Sequence, residues 1–231
     1  MRKYSILLFI VFSCNINQEN FELSGNINGL ENGVVYLIES NSGEKEIILD
    51  STRLNNSSSF LLKGYIKEPQ ILKIRIEEVG RRNIRFVGSN TNEIEFFAEI
   101  GKMELNTSYK RLQFDAQFSG SRHQENLDKF NSYLTRFEEE DLDLLVWQLS
   151  PRTKDNEIDS ISILRENNDK RKILFIINYI TNNSKEVISP YLALKYSQDI
   201  QPEYLAKIYK SYNKEIAESK YGIELSKIIN K

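Results

Sequence analysis

Sulfur and imidazole are scarce in this chain. Its 231 residues include one Cys and one His. A single Cys excludes an internal disulfide, a Cys-x-x-Cys redox pair and a Cys-rich zinc site. A single His excludes the multi-histidine metal centres. An excess of positive charge is also missing: 31 Lys and Arg face 33 Asp and Glu, for a net charge of -2. Such a surface gives no electrostatic reason to expect nucleic acid. No run of apolar residues approaches the ~20 that a spanning helix needs. There is no internal repeat and no low-complexity linker.

What remains is a globular composition, 40% hydrophobic and 28% charged. The length suits one large domain or two modest ones. Arg2 and Lys3 form a short basic start, and Ile6 to Phe12 form a short apolar run. This is the layout of a secretory signal peptide. Val11-Phe12-Ser13-Cys14 resembles a bacterial lipobox, in which a small residue just before the Cys marks the cleavage point. Residues 1–13 are therefore expected to be removed and Cys14 to become the lipidated N-terminus. Several acyl chains, at about 0.8 kcal/mol per buried CH₂, anchor a protein far more durably than one chain alone. Residues 14–20 read as a short polar tether. They lack an acidic run after the Cys, so the expected location is the cell envelope, on the outer membrane facing the periplasm.

From Phe21 to Phe118 the apolar period is near two. Phe21, Leu23 and Ile27 precede a turn region at Gly29–Gly33, and Val34, Tyr36 and Ile38 alternate with their neighbours. Glu46–Leu49 and Phe60–Ile66 flank the polar loop around Asn55–Ser59. Further strands are expected at Ile71–Ile76, Ile84–Val87, Ile94–Phe97, Met103–Leu105 and Leu112–Phe118. Eight or nine short strands at this spacing predict an antiparallel sandwich or barrel over residues 21–118. From Gly120 the period becomes helical. Ser121 and Gln124 stand at capping-box spacing. Leu127, Phe130, Leu134 and Phe137 follow on one face of a helix running to about Leu149. A second helix is expected over residues 155–179. A third begins at Ser189-Pro190, with Ser as the cap, and a fourth at Gln201-Pro202. A short terminal helix follows Gly222. The expected class is α+β: an N-terminal antiparallel β-sandwich followed by an α-helical region over residues 119–231.

Several short motifs follow one another along the chain. They are Phe21-x-Leu23-x-Gly25, Val34-Val35-Tyr36-Leu37, Leu49-Asp50-Ser51-Thr52, Phe60-x-x-x-Gly64, Pro69 and Phe118-Ser119-Gly120-Ser121. Ile188-Ser189-Pro190-Tyr191 and Ser219-Lys220-Tyr221-Gly222 follow in the helical half. In this order they resemble the N-terminal domain of unknown function, and its following helices, of Bacteroidetes thioredoxin-like thiol-disulfide oxidoreductases of the AhpC/TSA-related kind. The resemblance implies a thioredoxin fold with a Cys-x-x-Cys motif beyond this point, whereas this sequence stops at Lys231. Dithiol exchange needs a thiolate and normally a resolving thiol. With one Cys, the family's activity does not carry over, and no cofactor is implied.

Other candidate residues have plain readings. His123 sits in the first turn of a helix with no nucleophile implicated beside it, so a structural or surface role is expected. Glu138–Asp141 and Asp143 lie in a helical pattern without the Gly of a calcium loop, which predicts a solvated helix face and no metal. Gly25, Gly29 and Gly33 match neither a dinucleotide fingerprint nor a P-loop and read as hairpin glycines. Asp50-Ser51-Thr52 and Asp159-Ser160-Ile161 resemble Bacteroidetes O-glycosylation sites at Ser51 and Ser160. Trp147, Tyr179, Tyr191, Tyr196, Tyr209 and Tyr212 read as packing aromatics before groove-lining ones. The sequence thus predicts a non-enzymatic envelope lipoprotein, anchored to a membrane, that is a binding or scaffolding module of unknown ligand, with an envelope protein as a candidate partner and with contact surfaces at the sandwich edges or the sandwich–helix cleft. Two alternatives stand beside it: an accessory component of an envelope thiol-disulfide system, and a sugar-binding or hydrolytic protein.

Overall fold

A computed structural model describes residues 19–40, 45–78 and 92–230. The segment expected as a signal peptide, Cys14 and the strand expected at Ile84–Val87 lie outside the described residues. Alternating burial builds the first half. Strands β1 (Phe21–Asn28), β4 (Ser59–Gly64), β7 (Gly101–Ser108) and β8 (Gln117–Ser119) form one sheet in the order β4-β1-β7-β8. Strands β2 (Asn32–Glu39), β3 (Ile47–Asn55), β5 (Gln70–Glu78) and β6 (Glu93–Ala98) form the other in the order β3-β2-β5-β6. Their inner faces meet in a core that includes Leu23, Ile27, Leu37, Leu62, Ile74, Phe96 and Leu105. This is the expected sandwich and the expected α+β class.

One pairing departs from the antiparallel expectation. β1 and β7 run parallel, with Phe21 opposite Gly101 and Asn28 opposite Ser108. A parallel pair needs a long crossover, and here most of the sandwich lies between the two strands. The segment expected as a strand over Leu112–Phe118 is mostly a turn. A 3₁₀ turn spans Tyr109–Arg111, the Leu112 carbonyl accepts from the Thr107 hydroxyl at 2.8 Å, and only residues 117–119 pair in the sheet. Gly29 has a positive φ (86°), as a hairpin glycine should. Gly25 is a different case. It lies inside β1, where an added Cβ would come within 2.2 Å of the Leu105 carbonyl oxygen and 2.8 Å of the Phe60 ring.

The helical half comprises α1 (Arg122–Gln148), α2 (Asp155–Asn182), α3 (Ile188–Lys195), α4 (Pro202–Lys210), α5 (Lys214–Glu218) and α6 (Lys220–Ile229). Gln201 and Pro202 start α4 as expected. Two helix starts differ. Ser189 lies inside α3, which begins at Ile188 after Val187; its hydroxyl bonds the Ile180 carbonyl at 2.9 Å and the Tyr212 hydroxyl at 3.0 Å. Ser219 caps α6 by accepting from the Gly222 N–H, so Gly222 falls in the first turn of that helix and does not precede it. The bundle core takes Leu127, Phe130 and Leu134 from the start of α1 and Ile176 and Ile180 from the end of α2. With 27 and 28 residues, α1 and α2 are each about 40 Å long. Their far halves form a hairpin beyond that core. Among the described residues no helix is long and apolar enough to cross a membrane.

Candidate functional site

The join between the two halves is built around Phe97. Its ring faces out of the sandwich and belongs to the helical core, in edge contact with Tyr191 at 5.7 Å and Tyr221 at 6.2 Å. Among the described residues β6 is an edge strand, so its outward N–H and C=O groups need partners. The first turn of α1 supplies both. The Ser121 hydroxyl donates to the Phe97 carbonyl at 3.2 Å, and the Gln124 amide oxygen accepts from the Phe97 N–H at 2.6 Å. Ser121 also accepts from the Gln124 N–H at 3.1 Å. The expected capping box is therefore half formed: Ser121 caps, while the Gln124 side chain turns to the sheet. A second clasp comes from α6. Tyr221 accepts from the Ile71 N–H at 2.7 Å, and the Lys220 ammonium reaches Glu39 at 3.0 Å and also bonds Gln70. Burial raises the phenol pKa of Tyr221, and likewise of Tyr191 and Tyr212, well above the usual tyrosine value. These phenols stay neutral and act as packing and hydrogen-bonding groups.

His123 lies half-buried at this join, its ring 5.4 Å from that of Phe97. The hydroxyl of Ser121, two residues before it, donates to the Phe97 carbonyl and accepts from the Gln124 N–H. The geometry gives the His123 ring a packing position against Phe97.

Beside the join, the outer face of β5 carries a charge quartet. Lys73 and Arg75 point outward between Glu46 and Glu93, with contacts of 3.1 Å from Lys73 to each carboxylate and 2.6 and 2.5 Å from Arg75. Hydrogen bonds from Arg75 and Lys73 hold the Glu46 carboxyl below its ordinary value. Burial pulls the Lys73 ammonium down, but its bonds to Glu93 and Glu46 outweigh that and leave it above the usual lysine value. A shallow crevice lined by Lys73, Glu93, Glu95 and Gln113 opens here. Its one cation, Lys73, is paired with Glu46 and Glu93, and Glu93 and Glu95 make the lining acidic, which disfavours an anionic ligand.

The acidic run on α1 is not simply solvated. Asp141 pairs with Arg165 at 2.8 Å, Glu140 with Arg171 at 2.9 Å and Glu138 with Lys172 at 3.6 Å, all across to α2. The Arg165 hydrogen bond holds the Asp141 carboxyl below its ordinary value. Among the described residues no group of three or more His, Cys, Asp or Glu is placed to hold a metal ion. Between the same helices Asn168 is 1% exposed and donates to the Phe137 carbonyl at 2.7 Å, and among the described residues its own carbonyl oxygen has no partner.

The aromatic set divides. Tyr179, Tyr191, Tyr196, Tyr209 and Tyr212 pack against the helical core, as expected of packing aromatics. Trp147 does not join them and stands 48% exposed near the tip of the hairpin. Leu142 and Val146 on α1 and Leu149 at its C-cap, spaced i, i+4 and i+7, are 57–74% exposed. Ile163 and Leu164 on α2 are also exposed. Sequence reasoning missed this row because Leu144 to Trp147 is a continuous apolar run whose two sides cannot be told apart by periodicity alone. Ser51 on β3 and Ser160 on α2 are both exposed.

Residues 21–127 match the family model of a domain of unknown function, DUF4369. The match covers a little under half of the chain. It runs through the whole sandwich and into α1 as far as Leu127, so it includes the Ser121–Gln124 clasp on Phe97. No curated protein matches the chain.

Proposed function

We propose that this chain is a membrane-anchored lipoprotein of the bacterial cell envelope that binds or scaffolds another envelope protein without catalysing a reaction. The observation that carries the binding role is the row of Leu142, Val146 and Leu149, with Trp147, held out on the hairpin beyond the bundle core. Large apolar side chains exposed at i, i+4 and i+7 fall on one helix face, and an exposed apolar face is the kind of surface that marks an interaction site. The ion pairs from Glu138, Glu140 and Asp141 to α2 brace the hairpin that presents it. The contact surface in this reading is the hairpin, in place of the sandwich edges or the sandwich–helix cleft. Cys14 in its lipobox-like setting supports the anchor, and the polar tether after it supports the outer membrane, periplasm-facing location. Ser51 and Ser160, exposed within their short motifs, are the proposed O-glycosylation positions.

The motif order shared with the N-terminal half of Bacteroidetes thioredoxin-like oxidoreductases favours one kind of partner, a thioredoxin-like protein encoded on another chain. That places the accessory role in a thiol-disulfide system within the same proposal. The test is site-specific photocrosslinking in the native envelope, with the reactive side chain at Leu142 or Val146 and, as control, at Arg53 on the sandwich. One common adduct from both hairpin positions and none from Arg53 is expected. Adducts from neither hairpin position, with the protein correctly localised, sink the binding role. Identification of the adduct by mass decides the thioredoxin-like partner. Intact mass of the native protein reports cleavage after Ser13, acylation of Cys14 and glycosylation together.

A further inference from the structure

The chain enters the sandwich through a rigid residue. The Asn20 N–H donates to the Gly64 carbonyl at 3.0 Å, and its carbonyl accepts from the Gly101 N–H at 2.9 Å. Its side chain donates to the Ile66 carbonyl at 2.7 Å and accepts from the Ile66 N–H at 2.9 Å. Asn20 is thus fixed between β4 and β7, and Tyr65 and Ile100 are the residues beside its two backbone partners. β3 starts at the same end. The Asp50 carboxylate accepts from the Lys63 N–H at 2.8 Å, and Leu49 packs at Gly64, which brings Ile48 and Ile47 level with the stretch after β4. Four large apolar side chains at this end are open to solvent: Ile47 51%, Ile48 58%, Tyr65 44% and Ile100 53% exposed.

We propose that this end of the sandwich docks on a lipid surface, with Ile47, Ile48, Tyr65 and Ile100 inserted at the headgroup–acyl boundary. The inference rests on the lipid-anchored reading above. From Cys14 to Asn20 the chain spans six residues, which fully extended cover about 20 Å. An acyl-anchored Cys14 therefore keeps Asn20, and the apolar rim around it, within that distance of the bilayer. At such a separation the effective concentration of lipid next to the rim is very high, and no new partner is required to cover it. The chemistry suits the site. Aliphatic side chains enter the acyl boundary, and a tyrosine places its ring at headgroup depth. The nearby Lys63 and Lys102 are each paired, with Glu19 and Glu22, at 3.5 Å, whereas Lys45 and Lys67, two residues from Ile47 and Tyr65, are exposed. Docking on a zwitterionic surface should then depend little on salt, and anionic lipid should add a salt-dependent attraction through those two lysines.

The experiment uses the mature acylated protein reconstituted in zwitterionic vesicles containing bromine-labelled acyl chains, on a Trp147→Phe background. A single reporter is placed by Ile48→Trp, Tyr65→Trp or Phe114→Trp. Phe114 is 84% exposed and lies between β7 and β8, at the opposite end of the sandwich. The expected result is quenching at positions 48 and 65 at least twofold greater than at 114, unchanged between low and high salt. Acylated, vesicle-bound protein with equal quenching at all three positions overturns the docking and leaves the anchor standing. Protein whose mass shows Cys14 unmodified and which fails to float with vesicles overturns the anchor and the docking with it. Self-association of the soluble Cys14→Ser variant that disappears on Ile48→Ser assigns the rim to a second copy and also overturns the lipid assignment.

Discussion

The Gln124 amide oxygen stands 2.6 Å from the backbone N–H of Phe97, so a helix side chain completes the hydrogen bonding of a sheet edge. Gln124 is 4% exposed, which makes the bond costly to lose. Its amide nitrogen also donates to Asp128 at 2.7 Å, which fixes the side-chain orientation. Gln124→Met preserves volume but strands the Phe97 N–H away from water. The expected loss is about 2 kcal/mol, the range for an unsatisfied buried donor. Urea unfolding of the two proteins measures it. A change below about 0.5 kcal/mol would mean that the N–H finds another partner and that the clasp is dispensable.

Gly25→Ala should be among the most damaging single changes in the sandwich. The new methyl group would meet a backbone carbonyl at 2.2 Å, and backbone cannot yield as a flexible side chain can. The expected destabilisation is about 3 kcal/mol, typical of overpacking in a closed core. The thermal midpoint by circular dichroism is the readout, with Gly29→Ala as a milder comparison at a turn where no atom lies within 4 Å of the added Cβ.

These two positions separate what the sequence discloses from what it hides. Alternation made the strands of the sandwich legible, and Ser121 announced a helix start. The partner of Gln124 was hidden because it lies 27 residues back in the chain, and spacing rules describe only near neighbours. For the same reason Gly25 looked like one more hairpin glycine: its obstacles, Leu105 and Phe60, come from other strands. The parallel β1–β7 pair was hidden too, since side-chain alternation does not specify which strand lies alongside. Of the hairpin row, the apolar residues were visible but their exposure was not, because exposure depends on where the bundle core ends.

Asn168→Leu should stabilise the hairpin. The amide has one hydrogen bond, to Phe137, and a buried oxygen that is unpaired among the described residues. The Phe137 carbonyl lies within α1, where the helix ladder offers it a second donor. Replacing the amide with an apolar group of similar size is expected to add about 1 kcal/mol, or about 3 °C in a chain of this length. A lower midpoint would show that the bond to Phe137 sets the pairing of the two helices, the role that single buried Asn residues take in coiled coils.

Acid should weaken the protein through Glu46 and Asp141. Both carboxyls are held below their ordinary values, by Arg75 with Lys73 and by Arg165 respectively. In the window between the lowered folded value and the ordinary unfolded value, the unfolded chain binds more protons. The stabilisation is therefore complete above the ordinary carboxyl range and is lost as pH falls through the folded value. Urea midpoints from about pH 6 to about pH 3 should decline, and Glu46→Gln with Asp141→Asn should flatten that decline. An unchanged slope in the double variant would place the acid sensitivity elsewhere.

The position of β1 has a mechanical consequence. It is the first strand among the described residues and is hydrogen-bonded along both sides, to β4 and to β7. A pull along the axis of β1, such as the proposed anchor at Cys14 would deliver, strains many bonds of both ladders at once instead of peeling them one by one. The fold is thus built to resist tension at the end where a surface-bound molecule in a moving envelope would receive it.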